Sequence, residues 1–191
     1  VPQNPTYHPE GDVWAHTMLV LDQAATLRGQ AREPFPFLLS AVCHDLGKAL
    51  TTELRAGRLV SYGHEKAGIE PARQLLRRLG APKRTCSYVL NMVELHMAPN
   101  AHVAQHARQK SFNRLFDRSV CPQDLLLLAK ADHRGRGGEL GQGYEPLEAE
   151  LRERLAAFDE VMARPFVQGR DLMEAGVEPG PLMGETLAFA H

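Results

Sequence analysis

One tryptophan, three cysteines and 6% aromatic residues are little for a chain of 191 residues, and its apolar runs are short, the longest being Leu125 to Ala129. A helix that spans a bilayer needs about 20 consecutive apolar residues, so a transmembrane-helix function is excluded. The cysteines, Cys43, Cys86 and Cys121, form an odd set without a C-x-x-C pair. That pattern argues against a disulfide framework and a thiolate zinc site, and it fits a reducing cytoplasm. A G-x-x-x-x-G-K-[S/T] loop is missing, which removes P-loop ATP binding. There is no DNA-specific motif, internal repeat, heptad array or low-complexity stretch. The chain opens at Val1 without a charged-then-apolar leader, so it reads as a piece of a longer protein rather than a secreted chain.

What is present is an ordinary globular composition, 43% hydrophobic and 24% charged. A chain of this length buries roughly 70% of the surface it exposes when unfolded. Net charge is −1, but it is unevenly spread. From Arg73 to Arg136 there are twelve Lys/Arg against four Asp/Glu, whereas from Glu145 to Glu178 nine acids face four arginines. A basic middle points to a phosphate-bearing partner, with a solvated helix face as the plainer explanation. Nine histidines raise a sharper question, whether several of them converge.

Spacings of three and four dominate over alternation, so the fold class is all-α with at most a small β-hairpin. Asp12 is placed to cap a helix to about Arg28, with Val13, His16, Thr17, Val20, Leu21, Ala24 and Leu27 on one stripe. Pro34 and Pro36 interrupt the chain before an apolar helix, Phe37 to His44, which Gly47 is expected to stop. Thr51 to Tyr62, with Arg55-Ala56-Gly57-Arg58 as its turn, reads as the hairpin. Helical pattern resumes over His64 to Leu79, with Pro71 starting or kinking a helix. Pro82 opens a helix carrying Val89, Met92, Val93 and His96 on one face, and Pro99 is expected to end it. A basic helix near Gln105 to Arg118 follows, then a short apolar one from Pro122 on which Leu125, Leu128, Ala129 and Asp132 align. After a glycine-rich loop, Gly135 to Gly143, an amphipathic helix carries Leu147, Leu151, Leu155, Phe158 and Met162. Two short helical turns are expected in the tail.

Three helices thus turn His16, His96 and Asp132 inward from apolar stripes, and a fourth ends in His44-Asp45. A buried carboxylate is costly unless paired or metal-bound, and a buried imidazole needs a partner for each ring nitrogen. A divalent cation satisfies both. Imidazole with carboxylate suits Mn, Ni, Co, Fe or Zn, and Mg less, since Mg prefers oxygen. Taken singly, each histidine is more often a hydrogen-bonded core residue, and Asp132 has Arg134 and Arg136 nearby as alternative partners. His8, His102, His106 and His191 read as surface or loop histidines.

The ordered segments Tyr7-His8-Pro9-Glu10-Gly11-Asp12-Val13-Trp14-Ala15-His16-Thr17, His44-Asp45-Leu46-Gly47-Lys48, Gly63-His64-Glu65 and Gly169-Arg170-Asp171-Leu172 resemble the HD-domain metal-dependent phosphohydrolases. The resemblance covers nearly the whole chain and is nearest to the HD domains attached to bacterial CCA-adding tRNA nucleotidyltransferases. The first segment and Ala131-Asp132-His133-Arg134-Gly135-Arg136 also resemble the HD domains fused to polynucleotide end-healing kinases. It implies one HD phosphohydrolase domain over 1–191, with the tail from about 165 packing on it.

The resemblance makes His16, His44, Asp45 and Asp132 ligands of a principal divalent metal. It matches His64 and His96 to the extra histidines of two-metal relatives, with Asp45 as the bridge. Two ions about 3.5–4 Å apart would clamp a phosphoester and supply hydroxide near neutral pH. Asp45 and Lys48 are the catalytic expectations, and Lys48, Arg114, Arg134 and Arg136 the phosphate-binding ones. Lys48 as a helix cap and the arginines as solvated residues are the plainer readings. Glu65 could orient a ligand, and His133 could serve a leaving group. A Glu shortly after His-Asp, the general acid of some HD nucleotidases, is replaced by Lys48-Ala49, which lowers the 5′-nucleotidase reading. The implied substrates are nucleotide or RNA-end phosphoesters, especially 2′,3′-cyclic phosphates and 2′-phosphates, with tRNA as a partner. Hydrolysis of free nucleotides is one alternative, and a catalytically silent tRNA-binding appendage another. A nucleotidyltransferase domain is not recognisable in this chain, and the oligomeric state is not legible.

Overall fold

The computed structural model describes residues 1–163 and 169–189. His191, expected at the surface, lies outside them. The chain divides into two compact units, 1–155 and 156–191. The described residues are mainly helical, with a single two-stranded antiparallel hairpin, in agreement with the expected all-α class.

In the first unit, α1 (Val13–Leu27) starts where Asp12 accepts the Ala15 N–H at 2.9 Å, the cap read from sequence. It is followed by α2 (Pro34–Cys43) and the short α3 (Lys48–Thr51). Strands β1 (Glu53–Arg55) and β2 (Arg58–Val60) pair Glu53 with Val60 and Arg55 with Arg58. Their turn holds Ala56 and Gly57 at φ +46° and +76°. Left-handed backbone at both central positions matches the twist of the strands. Then come α4 (His64–Ala67), α5 (Ile69–Arg78), α6 (Lys83–Leu95), α7 (Ala98–Ala104), α8 (Gln109–Arg118) and α9 (Pro122–Arg134). Helix α10 (Glu145–Met162) begins in this unit. The second unit contains α11 (Gly169–Glu174) and α12 (Pro181–Phe189).

Three prolines behave differently from expectation. Pro34 and Pro36 lie inside the start of α2 rather than before it, and Pro99 opens α7 rather than closing α6. The first helical turn has no intrahelical use for its N–H groups, so proline there loses nothing and brings a suitable φ. The basic helix accordingly starts at Gln109 rather than near Gln105.

Helix α1 packs on α2 and α9, and α2 packs on α6. Between them Val20, Phe37, Met92, Val93, Leu125 and Leu128 are fully buried, each worth about 1.5–3 kcal/mol of transfer free energy. The same three interfaces aim His16, His44, His96 and Asp132 at one interior point. No helix among the described residues is long and apolar enough to cross a membrane.

Candidate metal centre

Helix ends set the histidine orientations. His44 is the C-cap of α2 and His96 the C-cap of α6. Each donates its Nδ1–H to a carbonyl three residues back, Ala41 at 2.8 Å and Val93 at 2.7 Å. Such carbonyls have no intrahelical donor. His64, first residue of α4, donates in the same way to Ser61 O at 2.8 Å. A carbonyl only accepts, so all three Nδ1 atoms carry the proton and all three Nε2 atoms offer a lone pair in the neutral ring. His16 comes from the first turn of α1, its Nδ1 2.7 Å from Glu10 Oε1. This contact is not a hydrogen bond, but it sets a carboxylate behind the imidazole.

These nitrogens meet two carboxylates. His16 Nε2 lies 3.0 Å from Asp132 Oδ1 and 3.7 Å from Asp45 Oδ2, and His44 Nε2 lies 3.3 Å from Asp45 Oδ2 and 3.9 Å from Asp132 Oδ1. On the other side of Asp45, His64 Nε2 and His96 Nε2 lie 3.2 and 3.9 Å from Oδ1. The six side chains form two triads of donor atoms, His16-His44-Asp132 and Asp45-His64-His96. Asp45 presents one oxygen to each, as a bridging carboxylate does. All six are buried.

The donor set fits divalent metal. His64 Nε2 and His96 Nε2 are 3.3 Å apart, yet with both Nδ1 protons committed neither neutral ring has a hydrogen to share. His44 Nε2 and Asp45 Oδ2 are buried and lack a hydrogen-bond partner. Lone pairs facing one another in a dry interior are costly, and a cation between them removes that cost. Four imidazoles and two carboxylates without thiolate are the nitrogen–oxygen set of Mn, Fe, Co, Ni or Zn.

The electrostatics agree. Burial raises the Asp132 carboxyl, but the His16 hydrogen bond and the field of His44 outweigh it and hold the pKa below the usual carboxylate range. Burial also opposes ionisation of Asp45, and His44, His64 and Lys48 together bring its pKa well down. Burial lowers His96, assisted by His44, to about 4. For His44 burial again pulls down, but Asp45 and Asp132 win and its pKa rises. The two ionised carboxylates therefore call for positive charge where the imidazole nitrogens gather.

Lys48 is buried, donates to Gln3 Oε1 at 2.7 Å and lies 2.8 Å from Asp45 Oδ2. The contact with Asp45 is an ion pair, and only the bond to Gln3 uses one of the three ammonium donors. Lys48 and His64 open onto a cavity of about 720 Å³ that Arg136 also lines. Arg136 Nε is buried without a hydrogen-bond partner. The other expected arginines lie elsewhere. Arg134 is 3.6 Å from Glu145 and borders a different depression, and Arg114 is exposed on α8 and does not line this cavity. Glu65 Oε2 lies 3.9 Å from His64 Nδ1. His133 donates to Gln142 O at 3.2 Å, packs on Tyr144 and does not line the cavity.

A family model for the HD domain matches residues 13–136, the span that carries all six donors. The chain belongs to the HD-domain family. HD domains are a superfamily of metal-dependent hydrolases and bind divalent metals, which agrees with the expectation of a divalent ion. Among similar proteins, the multifunctional CCA protein of Halorhodospira halophila is 36% identical over 197 residues, covering 100% of this chain and 44% of that relative. Those of Haemophilus influenzae and Pasteurella multocida are 37% and 34% identical, covering 84% and 97% of this chain and 39% and 43% of theirs. The HD domain described here thus spans less than half the length of these curated relatives.

Two sequence expectations need correction. Gly47 does not stop α2 by a left-handed turn, since its φ is −68°. A Cβ there would sit 2.0 Å from His64 O and 2.5 Å from Gly68 N, so glycine is required because the backbone of α4 passes against it. Gly47→Ala must push α4, and His64 with it, away from Asp45. We expect a stability loss of about 1–3 kcal/mol and selective weakening of the His64–His96 triad, measured by thermal melting and metal titration. Unchanged melting and stoichiometry would contradict the close approach. Secondly, His8, read as a surface or loop histidine, does lie in the loop before α1 but is half-buried and engaged. Its Nδ1 bonds Glu10 Oε1 at 2.8 Å, its ring meets His16 edge-on at 4.8 Å, and it lines the cavity. Burial, with Lys48 nearby, lowers its pKa. Glu10 and Gln3 escaped the sequence reading because both precede the first helix, where no periodicity marks an inward side chain. The proximity of Glu10 to the Asp12 cap was the available signal.

Proposed function

We propose that this HD domain hydrolyses phosphoesters of nucleotides and RNA ends, of the 2′,3′-cyclic phosphodiesterase and 2′-phosphatase type. The observation that carries this reading is the pair of donor triads, with Asp45 facing both and His64 opening onto a cavity that Lys48 and Arg136 also line. His16, His44 and Asp132 would hold one divalent ion, His64 and His96 a second, and Asp45 would bridge. Such ions, when bound, lower the pKa of water toward neutrality and offset charge on the phosphoryl oxygens.

The remaining work falls to side chains. Ala41, Val93 and Ser61 carbonyls keep three imidazoles in the ligating tautomer, and Glu10 lies against His16. Lys48 pairs with Asp45 and keeps donor capacity for a phosphate oxygen. Arg136, whose Nε has no protein partner, supplies the second cationic contact, with the planar geometry suited to phosphate. The resemblance to HD domains attached to CCA-adding tRNA nucleotidyltransferases favours tRNA ends as the substrate, and the free cysteines fit a reducing cytoplasm.

The test is a phosphate-release screen over 2′,3′-cyclic, 2′-, 3′- and 5′-phosphates with Mn, Ni, Co, Zn or Mg, with metal analysis of protein purified without added metal. Turnover of cyclic and 2′-esters that chelator abolishes is the expected result. Preference for free 5′-nucleotides would favour a nucleotidohydrolase instead. Metal-independent tRNA binding without phosphate release would mark a silent appendage.

A further inference from the structure

The cavity is larger than a phosphate needs, and its outer lining is of a different character from its floor. Lys48 and His64 lie at the metal centre, whereas Tyr7, Tyr62, Leu59 and Met97 supply apolar and aromatic surface. Tyr62 is 73% exposed and Tyr7 60% exposed. In a chain poor in aromatics, two such rings left in water on one cavity forgo the burial from which aromatic side chains gain most.

Tyr62 is also held in place. It lies two residues beyond the end of β2, and Gly63, at φ +75°, turns the chain from it into His64. Only Gly63 separates Tyr62 from His64, and both line the cavity, so a ring platform and a metal-centre imidazole border one space, as a base and its phosphate require. The Arg55 guanidinium lies over the Tyr62 ring at 5.9 Å from its centroid and is itself 2.7 Å from Glu53. Arg55 thereby occupies one face of the ring, and with most of the side chain exposed the other is available for stacking.

We propose that the outer cavity is a nucleobase subsite, in which Tyr62, supported by Tyr7, stacks the base attached to the scissile phosphoester. The subsite rests on the phosphohydrolase reading for its orientation, base outward and phosphate toward Lys48 and Arg136. Stacking uses the π-face that every base has, so the subsite selects nucleotides over base-free esters while tolerating base identity. This suits the end of a single strand, whose last base is free to unstack.

The experiment compares wild type, Tyr62→Ala and Tyr62→Phe on adenosine 2′,3′-cyclic phosphate and on glycerol 1,2-cyclic phosphate, which has no base. Tyr62→Ala should raise KM for the adenosine ester about 5- to 100-fold, the scale of one base stack, and leave the glycerol ester unchanged. Tyr62→Phe should behave as wild type. Equal effects on both esters, no effect on either, or a phenylalanine variant as impaired as alanine would overturn the subsite. Calorimetric binding of adenosine 2′-monophosphate and glycerol phosphate separates this proposal from the reading beneath it. Tyr62-dependent preference for the adenosine ligand without any turnover would remove the hydrolase and keep the subsite. Equal binding of both phosphates by wild type would remove the subsite alone.

Discussion

Asp45→Ala is expected to keep the helical circular-dichroism spectrum of the wild type while losing metal-dependent phosphate release by about 10³-fold or more. The magnitude follows from the several kcal/mol that bound cations contribute to the transition state, at about 1.4 kcal/mol per tenfold change in rate. The loss should be larger than for any single histidine, because Asp45 alone faces both triads, Oδ2 toward His16 and His44 and Oδ1 toward His64 and His96. The fold should survive, because His44, His64 and His96 are anchored through Nδ1 to backbone carbonyls that the substitution leaves alone. Lys48 keeps its bond to Gln3. Asp45→Asn sharpens the test, since it preserves volume and removes the charge. Metal content should fall for both sides of the centre in either variant. Full activity, or full metal content, in Asp45→Ala would refute the bridging assignment.

The parts of this centre that could be read from sequence are those in which a polar residue interrupts an apolar helical stripe. His16, His96 and Asp132 stand out against Val20, Val93 and Leu128 because 3.6-residue periodicity assigns each a face, and all are buried. His44-Asp45 stands out because it ends an apolar helix. Contributions from outside helices carry no such mark, which is why Glu10, Gln3 and the contacts of His8 were not foreseen. Arg134 and Arg136 differ for a related reason. They flank Gly135 at the end of α9, where the helical period lapses, so nothing in the sequence decides which of them reaches the cavity. Gly47 was legible as a special position but for the wrong cause, since a left-handed turn and a close backbone approach both call for glycine, and only the fold places His64 O against it.

Asp124 was legible only as an acid in the first turn of α9, a position that favours negative charge at any helix start. Its role in the fold is wider. It is fully buried, with Oδ1 accepting from Arg32 N at 2.9 Å and Oδ2 from Glu33 N at 3.1 Å and Tyr88 Oη at 2.6 Å. Glu33 is the N-cap of α2 and Tyr88 lies within α6. One carboxylate therefore fastens the starts of α2 and α9 to the middle of α6, the three helices that carry His44, Asp132 and His96 at or near their C-terminal ends. Asp124→Ala strands two backbone N–H groups and a buried phenol, each costing about 1–3 kcal/mol when unsatisfied. After partial relaxation we expect a loss of about 3 kcal/mol or more, and a fall in Tm of roughly 6–12 °C for a chain of this size. Tyr88→Phe removes one bond and should cost about 1–2 kcal/mol. The double variant should lose less than the sum, as members of one network do. Because Asp124 touches none of the six metal donors, Asp124→Ala assayed well below its own Tm should still bind metal with wild-type stoichiometry. A normal Tm with lost metal would show that Asp124 acts on the centre by some route other than clamping the helices that carry it.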